Sequence, residues 1–292
     1  MDGRWEAVSD RGGASLNEDL VRVFEPGGPD GATDILVLDG ATALVDAPDA
    51  DGGNGDVVWF VARFAAAFGQ ARDADVEPAA LFERSARAAA AAYEERTAGR
   101  ALAPWAWPVA SVAWVRITPS AGGWTGHLTS LGDCKALLRL PDGAVVDLDP
   151  IDNAQETSLY GEVAALQAAG VLDAKTRFER LLPSLRARRA AQNTDPAPAV
   201  LSAHPFGPYA LRTRVFDVPP GATVLTMSDG FWRPVEPYGQ VTAEAFAAAC
   251  ATDGLHAVLA RLRAWEAGEG GAGSLAVKRA DDASAVAWHS RA

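Results

Sequence analysis

Compact apolar runs that end at glycine-containing turns recur in two parts of the chain and predict β-strands. The first covers residues 34–38 and leads directly into Asp39-Gly40, as is typical of a buried strand. Between residues 109 and 146, three further runs are separated by turns such as Gly122-Gly123, which indicates an antiparallel meander. More strands are predicted nearer the C-terminus, at 211–218, 223–227 and 284–288.

Helical periodicity marks the segments between these strands. Apolar residues from Val57 to Phe68 follow one another at three- and four-residue spacing, which gives one apolar helical face. A second helix opens at Glu77-Pro78, because proline is well tolerated in the first helical turn. Residues 153–195, rich in Ala, Leu and Arg, predict a further helical region, and the prolines between 195 and 208 indicate a loop after it.

The order of these elements predicts an α+β fold whose strands fall into two groups. No internal repeat and no low-complexity linker divides the chain. Its 292 residues, 49% of them hydrophobic, are enough to bury a full core. We therefore expect one domain over residues 1–292, with a helical flap inserted at about 153–208.

Composition argues against several classes of partner. The formal net charge of -12 opposes binding to nucleic acid, whose phosphates attract Lys and Arg. The basic run 186–189 is a local exception, which we interpret as the solvated face of a helix. No stretch approaches the roughly 18 apolar residues of a membrane helix. Two distant cysteines, Cys134 and Cys250, make no disulfide framework. We expect a cytoplasmic protein without a membrane partner.

Four short acidic motifs stand beside the predicted strands: Asn17-Glu18-Asp19, Asp39-Gly40, Ser228-Asp229-Gly230 and Asp281-Asp282. Folding can bring carboxylates at neighbouring strand ends together, and Mg²⁺ and Mn²⁺ prefer oxygen ligands of this kind. Two such ions that share one carboxylate can activate a water for attack on a phosphoester. An Asp-Gly pair alone is a common turn, so the interpretation depends on the motifs together.

The order of the motifs carries a resemblance to a known family. The set comprises Asn17-Glu18-Asp19, Leu38-Asp39-Gly40, Leu131-Gly132-Asp133, residues 227–232 and residues 281–284. It resembles the metal-dependent Ser/Thr protein phosphatases of the 2C type, over nearly the whole chain. The resemblance implies a four-layer α-β-β-α sandwich, with two antiparallel sheets flanked by helices and the metals at one edge between the sheets.

The same resemblance implies a centre of two Mn²⁺ or Mg²⁺ ions. Asp39 would bridge both ions, and Asp229 and Asp281 would bind one of them. The Gly40 carbonyl and the Glu18-Asp19 pair would bind the other. Asp39, Asp229 and Asp281 are thus the expected catalytic residues. A water held between the ions would attack the phosphoester in one step, without a phosphoenzyme.

Three positions depart from the family pattern. Ala14 stands where the family usually has a phosphate-binding Arg, and Arg11 is the candidate replacement. Ala41 follows the first Asp-Gly, where many members have a His proposed to protonate the leaving group. Arg233 replaces an Asp that helps the counterpart of Asp133 hold a third metal. Because a guanidinium repels cations, we expect at most a weak third ion at Asp133.

These observations predict a metal-dependent phosphomonoester hydrolase that acts, as a monomer, on phosphoserine and phosphothreonine in proteins. Two alternatives stay open. The absence of the usual side chains at Ala14 and Ala41 suggests a catalytically weak or inactive phosphatase-like binding module. A phosphatase of small-molecule phosphoesters is the other. The helical insertion at about 155–194 lies where the family has its variable flap, so we expect it to set specificity.

Overall fold

The computed structural model describes residues 3–25, 31–44, 55–72, 76–98, 100–151, 154–205, 207–268 and 279–291. The described strands are β1 Arg4–Asp10, β2 Leu20–Phe24, β3 Thr33–Gly40, β4 Val109–Ser120, β5 Gly123–Leu131, β6 Lys135–Arg139, β7 Val145–Asp147, β8 Leu201–Ser202, β9 Arg212–Val218, β10 Thr223–Met227 and β11 Ala283–His289. The described helices are α1 Asp56–Ala71, α2 Pro78–Arg96, α3 Ala154–Ala168, α4 Ala174–Thr194, α5 Asp229–Trp232, α6 Ala243–Thr252 and α7 Leu255–Ala267. Within these ranges, no helix combines the length and apolar character that a membrane crossing needs.

The strands form two antiparallel sheets. One has five strands in the order β1-β11-β10-β6-β7, and the other has the order β2-β3-β4-β5-β9 with β8 paired to β4. The long meander from β4 to β5 pairs Val112 with Leu131 and continues to a tight turn at Gly123. Both β3 and β10 have a neighbouring strand on each side, so the acidic motifs at their ends are fixed by pairing on both flanks.

Both faces of β3 are buried, which explains the apolar run at residues 35–38. Successive strand residues point to opposite faces. Leu36 and Leu38 accordingly belong to the same core cluster as Phe64 of α1. Ile35 belongs to a second cluster with Val286 of β11, in the opposite sheet. The six-stranded sheet therefore packs against α1 and α2 on one face and against the five-stranded sheet on the other.

The five-stranded sheet is covered on its outer face by α6 and α7. Leu225 of β10 and Ala285 of β11 cluster with Phe246 of α6 and Leu262 of α7. Inside the sandwich, Trp124 and Trp288 meet edge to face, with ring centroids 5.3 Å apart. The layers run helices, sheet, sheet, helices, and this confirms the predicted α+β sandwich.

The helical region predicted at 153–195 contains α3 and α4, while residue 153 itself lies outside the described residues. Helix α4 packs against the turn at Pro104–Ala106. Asn193 Nδ2 donates to the carbonyl oxygens of Pro104 (2.7 Å) and Trp107 (3.1 Å). The solvated face predicted for the basic run is wrong at Arg189, which is only 8% exposed. The segment predicted as a loop includes the short strand β8.

Candidate metal centre

The end of β3 places the first aspartate of the site. Asp39 lies opposite Ser111 of β4 in the antiparallel register, and Gly40 lies opposite Ala110. The Ser111 hydroxyl donates to Asp133 Oδ1 (2.6 Å) and accepts the Asp133 amide (3.2 Å). Two carboxylates are thereby brought to the same edge of the six-stranded sheet, with Ser111 between their strands.

The end of β10 brings the Ser-Asp-Gly motif beside the C-terminal aspartate pair. The Ser228 amide donates to the Ser284 carbonyl (2.9 Å), and the Ser284 amide donates to Ser228 Oγ (2.9 Å). A Cβ at Gly230 would lie 1.9 Å from the Asp282 carbonyl oxygen, so only glycine allows this approach. The Asp229 amide donates to Asp39 Oδ2 (3.3 Å) and joins the two sheets at the site.

The Asn-Glu-Asp triplet closes the same edge from the chain before β2. The Glu18 amide donates to Asp282 Oδ2 (2.7 Å), and Glu18 Oε2 accepts the Thr42 hydroxyl (2.6 Å). A Cβ at Gly40 would lie 2.5 Å from the Glu18 carbonyl oxygen, so the triplet packs directly on the end of β3. Asp19, the last member, is 7% exposed.

The buried carboxylates raise one another's pKa values. Burial, followed by the charges of Asp229, Asp19 and Asp133, holds the pKa of Asp39 well above its ordinary value. Burial, followed by the charges of Asp282 and Asp229, raises the pKa of Asp19 to about 8. Burial and the charge of Asp133 raise that of Asp229 to about 6. Without a cation, burial and mutual repulsion therefore favour the protonated forms of Asp19 and Asp39 near neutral pH.

The architecture has counterparts among solved structures. The Mycobacterium tuberculosis serine/threonine phosphatase PstP/Ppp is similar at a TM-score of 0.56 and 17% identity, over 99% of each chain. The S. agalactiae serine/threonine phosphatase is similar at a TM-score of 0.56 and 15% identity, over 99% of this chain and 100% of that chain. PppA of Pseudomonas aeruginosa, a key regulatory component of T6SS, is similar at 0.55 and 14% identity, over 99% and 97%.

The fold is that of the 2C-type protein phosphatases. The likeness confirms the resemblance predicted from the ordered motifs at the level of the fold. No family model matches the sequence, and no curated protein matches it.

The donor set at the edge of the 2C-type fold fits a hard divalent cation. Its side chains are carboxylates, the ligands that Mg²⁺ and Mn²⁺ prefer. Asp19 Oδ2 is buried and has no hydrogen-bond partner among the described residues, and a buried unsatisfied carboxylate oxygen is costly. Within the same part of the chain, no three acidic, histidine or cysteine side chains already stand in metal-binding geometry. The carboxylates lie at one edge of the fold, but their oxygens are not yet arranged as a coordination sphere.

Asp281 stands apart from this buried group because an arginine neutralises it. Arg233 Nη2 lies 2.7 Å from Asp281 Oδ2, and the arginine side chain is 8% exposed. Arg233 also donates to the Tyr238 hydroxyl (3.4 Å) and lies 4.0 Å from Glu266 Oε1. The sequence predicted that Arg233 would act against a third ion near Asp133. In the structure the guanidinium contacts Asp281, one of the expected ligands of the two-ion centre.

Arg11, the predicted phosphate-binding residue, lies on the exposed loop before the triplet. Its Nη1 donates to the Ser15 carbonyl (3.1 Å), and the Ala14 amide donates to the Arg11 carbonyl (3.0 Å). Sequence reasoning missed two other residues of the site. Asp282, 6% exposed, binds the Glu18 amide, and the Asp-Asp pair was a signal for it without indicating which member points inward. Arg189 was read as solvated.

Proposed function

We propose that this protein is a metal-dependent phosphatase that hydrolyses phosphoserine and phosphothreonine monoesters on proteins. The observation that carries the proposal is the group of carboxylates Asp19, Asp39 and Asp229, the first buried and the other two partly buried, which three distant motifs bring to one edge between the sheets. Such a group is expensive to bury without a cation. The M. tuberculosis and S. agalactiae proteins that share the fold are serine/threonine phosphatases.

Two Mn²⁺ or Mg²⁺ ions are the proposed cofactors. In this proposal Asp39 would serve both ions, Asp229 and Asp281 would hold one of them, and Glu18, Asp19 and the Gly40 carbonyl would hold the other. When bound, the ions supply a water activated for attack on phosphorus. Ser111 fixes the direction of Asp133, which we assign at most a weak third ion. Thr42 fixes one oxygen of Glu18.

The remaining parts of the proposal concern the whole chain. We assign residues 1–292 to one catalytic domain, with the flap at about 153–208 governing access for substrate. The protein is proposed to act as a monomer in the cytoplasm. Its two cysteines, both buried and not in a disulfide, agree with a reducing compartment. A thiol role is disfavoured because burial, with the nearby carboxylates, raises the pKa of Cys134.

A phosphatase-like binding module is the second candidate. The ion pair between Arg233 and Asp281 favours it, because the guanidinium supplies part of the positive charge that a metal would otherwise supply. Ala14 and Ala41 favour it as well, because neither can bind phosphate or donate a proton through its side chain. In this candidate the acidic site keeps a structural role, and the surface of the flap binds the partner.

Hydrolysis of an aryl phosphate separates the two candidates. The assay compares Mn²⁺, Mg²⁺ and EDTA for the wild type and for Asp39→Asn, Asp229→Asn and Asp217→Asn. Asp217 is an exposed residue of β9 and serves as the matched control. The phosphatase requires activity that depends on metal, is lost in the first two variants and persists in the control. Silence in every condition, with metal demonstrably bound to the wild type, supports the binding module instead.

A further inference from the structure

Arg189 of α4 is a buried cation next to the proposed centre. Its Nη1 and Nη2 each lie 3.5 Å from a carbonyl oxygen, those of Ala41 and Thr42 respectively. These two residues directly follow Asp39-Gly40, so the guanidinium lies beside the loop that leaves the metal-binding edge. Among the described residues, Arg189 forms no ion pair with a carboxylate. Glu18 is the acidic residue whose charge acts on the pKa of Arg189.

The neighbouring arginines of the same helix are engaged differently. Arg188 is half-buried and pairs with Glu162 of α3. Arg186 donates to the Leu44 carbonyl (2.9 Å) and lies over the Trp105 ring, 4.2 Å from its centroid. Both therefore have strong partners within the fold. Within the described parts of the chain, Arg189 has two long hydrogen bonds to neutral oxygens and no others, although it is the most buried of the three.

A buried guanidinium in this state has unused capacity for an anion. Burying a charge is costly unless it is paired and hydrogen-bonded. Burial lowers the pKa of Arg189 to about 10, and the charge of Glu18 opposes this effect, so the side chain stays cationic at neutral pH. Arginine binds phosphate oxygens through two parallel N–H donors, which makes it the preferred side chain for this ligand.

We propose that Arg189 binds the phosphate group of the substrate. The position before the Asn17-Glu18-Asp19 triplet, where a phosphate-binding Arg was expected, is Ala14, and Arg11 nearby is exposed. The proposal rests on the proposed function, because it assigns a residue of the helical flap to the same site. It also makes α4 part of the substrate-binding surface: phosphate would be bound between the end of β3 and the flap.

A purely structural role for Arg189 is the competing explanation. In that case the guanidinium only fastens α4 to the Ala41 and Thr42 carbonyls, and its removal would lower stability without changing the affinity for phosphate. The two explanations differ in a quantity that needs no turnover: the equilibrium affinity of the metal-loaded protein for inorganic phosphate.

The experiment measures the binding of inorganic phosphate by calorimetry in the presence of Mn²⁺, for the wild type, Arg189→Met, Arg189→Lys and the control Arg188→Met. We expect Arg189→Met to weaken phosphate binding by at least about tenfold, as befits a hydrogen-bonded charge. The phosphate affinity of Arg189→Lys should lie between those of the wild type and Arg189→Met, because an ammonium keeps the charge but lacks the paired donors. Arg188→Met and the Mn²⁺ affinity of every variant should be unchanged.

Phosphate affinity equal to the wild type in Arg189→Met overturns the proposal, as does the absence of phosphate binding by the wild type. If Arg189→Met does not fold, Arg189→Lys decides, and an unchanged affinity there overturns it equally. The kinetics of phosphopeptide hydrolysis provide a second measurement, in which Arg189→Met should mainly raise KM. If the wild type binds phosphate through Arg189 yet hydrolyses nothing, the proposed function fails while the assignment of Arg189 stands.

Discussion

Arg233 determines how much negative charge Asp281 can offer a cation. The guanidinium is 2.7 Å from Asp281 Oδ2 and 4.0 Å from Glu266 Oε1. Glu266 has a second partner, since Arg263 Nη1 lies 2.7 Å from its other oxygen. Asp281 is therefore the carboxylate that gains most freedom if Arg233 is removed.

Replacing Arg233 by methionine should tighten Mn²⁺ binding. Two unit charges about 4 Å apart interact by roughly 1 to 4 kcal/mol near a protein surface. Removal of the guanidinium charge should therefore raise the affinity for Mn²⁺ by at least about fivefold. Manganese titration followed by electron paramagnetic resonance measures it. Arg261→Met is the control, because Arg261 makes an exposed ion pair with Asp253. Unchanged or weaker Mn²⁺ binding in Arg233→Met would show that Asp281 is not a ligand.

Asp19 should make the metal-free protein less stable as pH rises. Its ordinary pKa is 3.8, and in the folded protein it is about 8. Between these values the folded state holds a proton that the unfolded state has lost, so the free energy of unfolding falls with increasing pH, by up to about 1.4 kcal/mol per unit. At pH 8, Asp19→Asn should therefore unfold at a higher temperature than the wild type in EDTA.

At pH 5 the advantage of the same substitution should be smaller, because pH 5 lies only about one unit above the ordinary pKa of 3.8, whereas pH 8 spans the whole interval up to the raised pKa. Thermal unfolding in EDTA at both pH values provides the comparison. Saturating Mn²⁺ should abolish the advantage of Asp19→Asn, because the carboxylate then has a cation. A variant that is equally or less stable than the wild type at pH 8 in EDTA would contradict the electrostatic account.

The positions of the secondary-structure elements around the site depend on close backbone contacts between them as well as on side-chain interactions. Helix α5 starts directly after β10, and its Gly230 lies against the Asp282 carbonyl before β11. Gly230→Ala should destabilise the protein by about 1 to 3 kcal/mol, as overpacking does. Gly161→Ala is the matched control, since a Cβ there meets nothing within 4 Å.

In the control, an alanine within α3 should be neutral or stabilising by about 0.5 to 1 kcal/mol. Denaturant unfolding of both variants measures the difference. Equal stability of Gly230→Ala and the wild type would mean that α5 and the segment before β11 separate readily. The hydrogen bonds between Ser228 and Ser284 would then be insufficient to hold the two motifs together.

The elements themselves were largely predictable from the sequence, because their signals are local. Residues 35–38 form a continuous apolar run because both faces of β3 are covered, by α1 and by the opposite sheet. The apolar spacing from Val57 to Phe68 matches the buried face of α1. The prediction for 195–208 missed β8, a two-residue strand that only its pairing with β4 defines.

The parts of the site that were not predictable depend on non-local packing. Arg188 and Arg189 are adjacent in sequence, and only the position of α4 against residues 41–42 decides that the first is half-buried and the second buried. The orientation of the Asp281-Asp282 pair likewise depends on Arg233 and Glu18, which lie far away in sequence. The motifs predicted which chemical groups form the site, but they did not predict the contacts between those groups.

For the whole molecule, the acidic edge lies between the two halves of the sandwich. Asp39 and Asp133 come from the six-stranded sheet, while Asp229 and Asp282 adjoin the five-stranded one. Like charges placed on both sides of this boundary oppose its closure, in a protein whose net charge is already -12. A divalent cation bound there would connect the two sheets.

Mn²⁺ binding by the wild type, compared with Asp39→Asn, tests the central claim most directly. Calorimetric titration should give saturable binding for the wild type and for the exposed control Asp217→Asn. In Asp39→Asn, which removes the charge between the two groups of carboxylates, binding should weaken by at least about tenfold. Equal affinity in Asp39→Asn, or no saturable binding by the wild type, would contradict a metal centre at this edge.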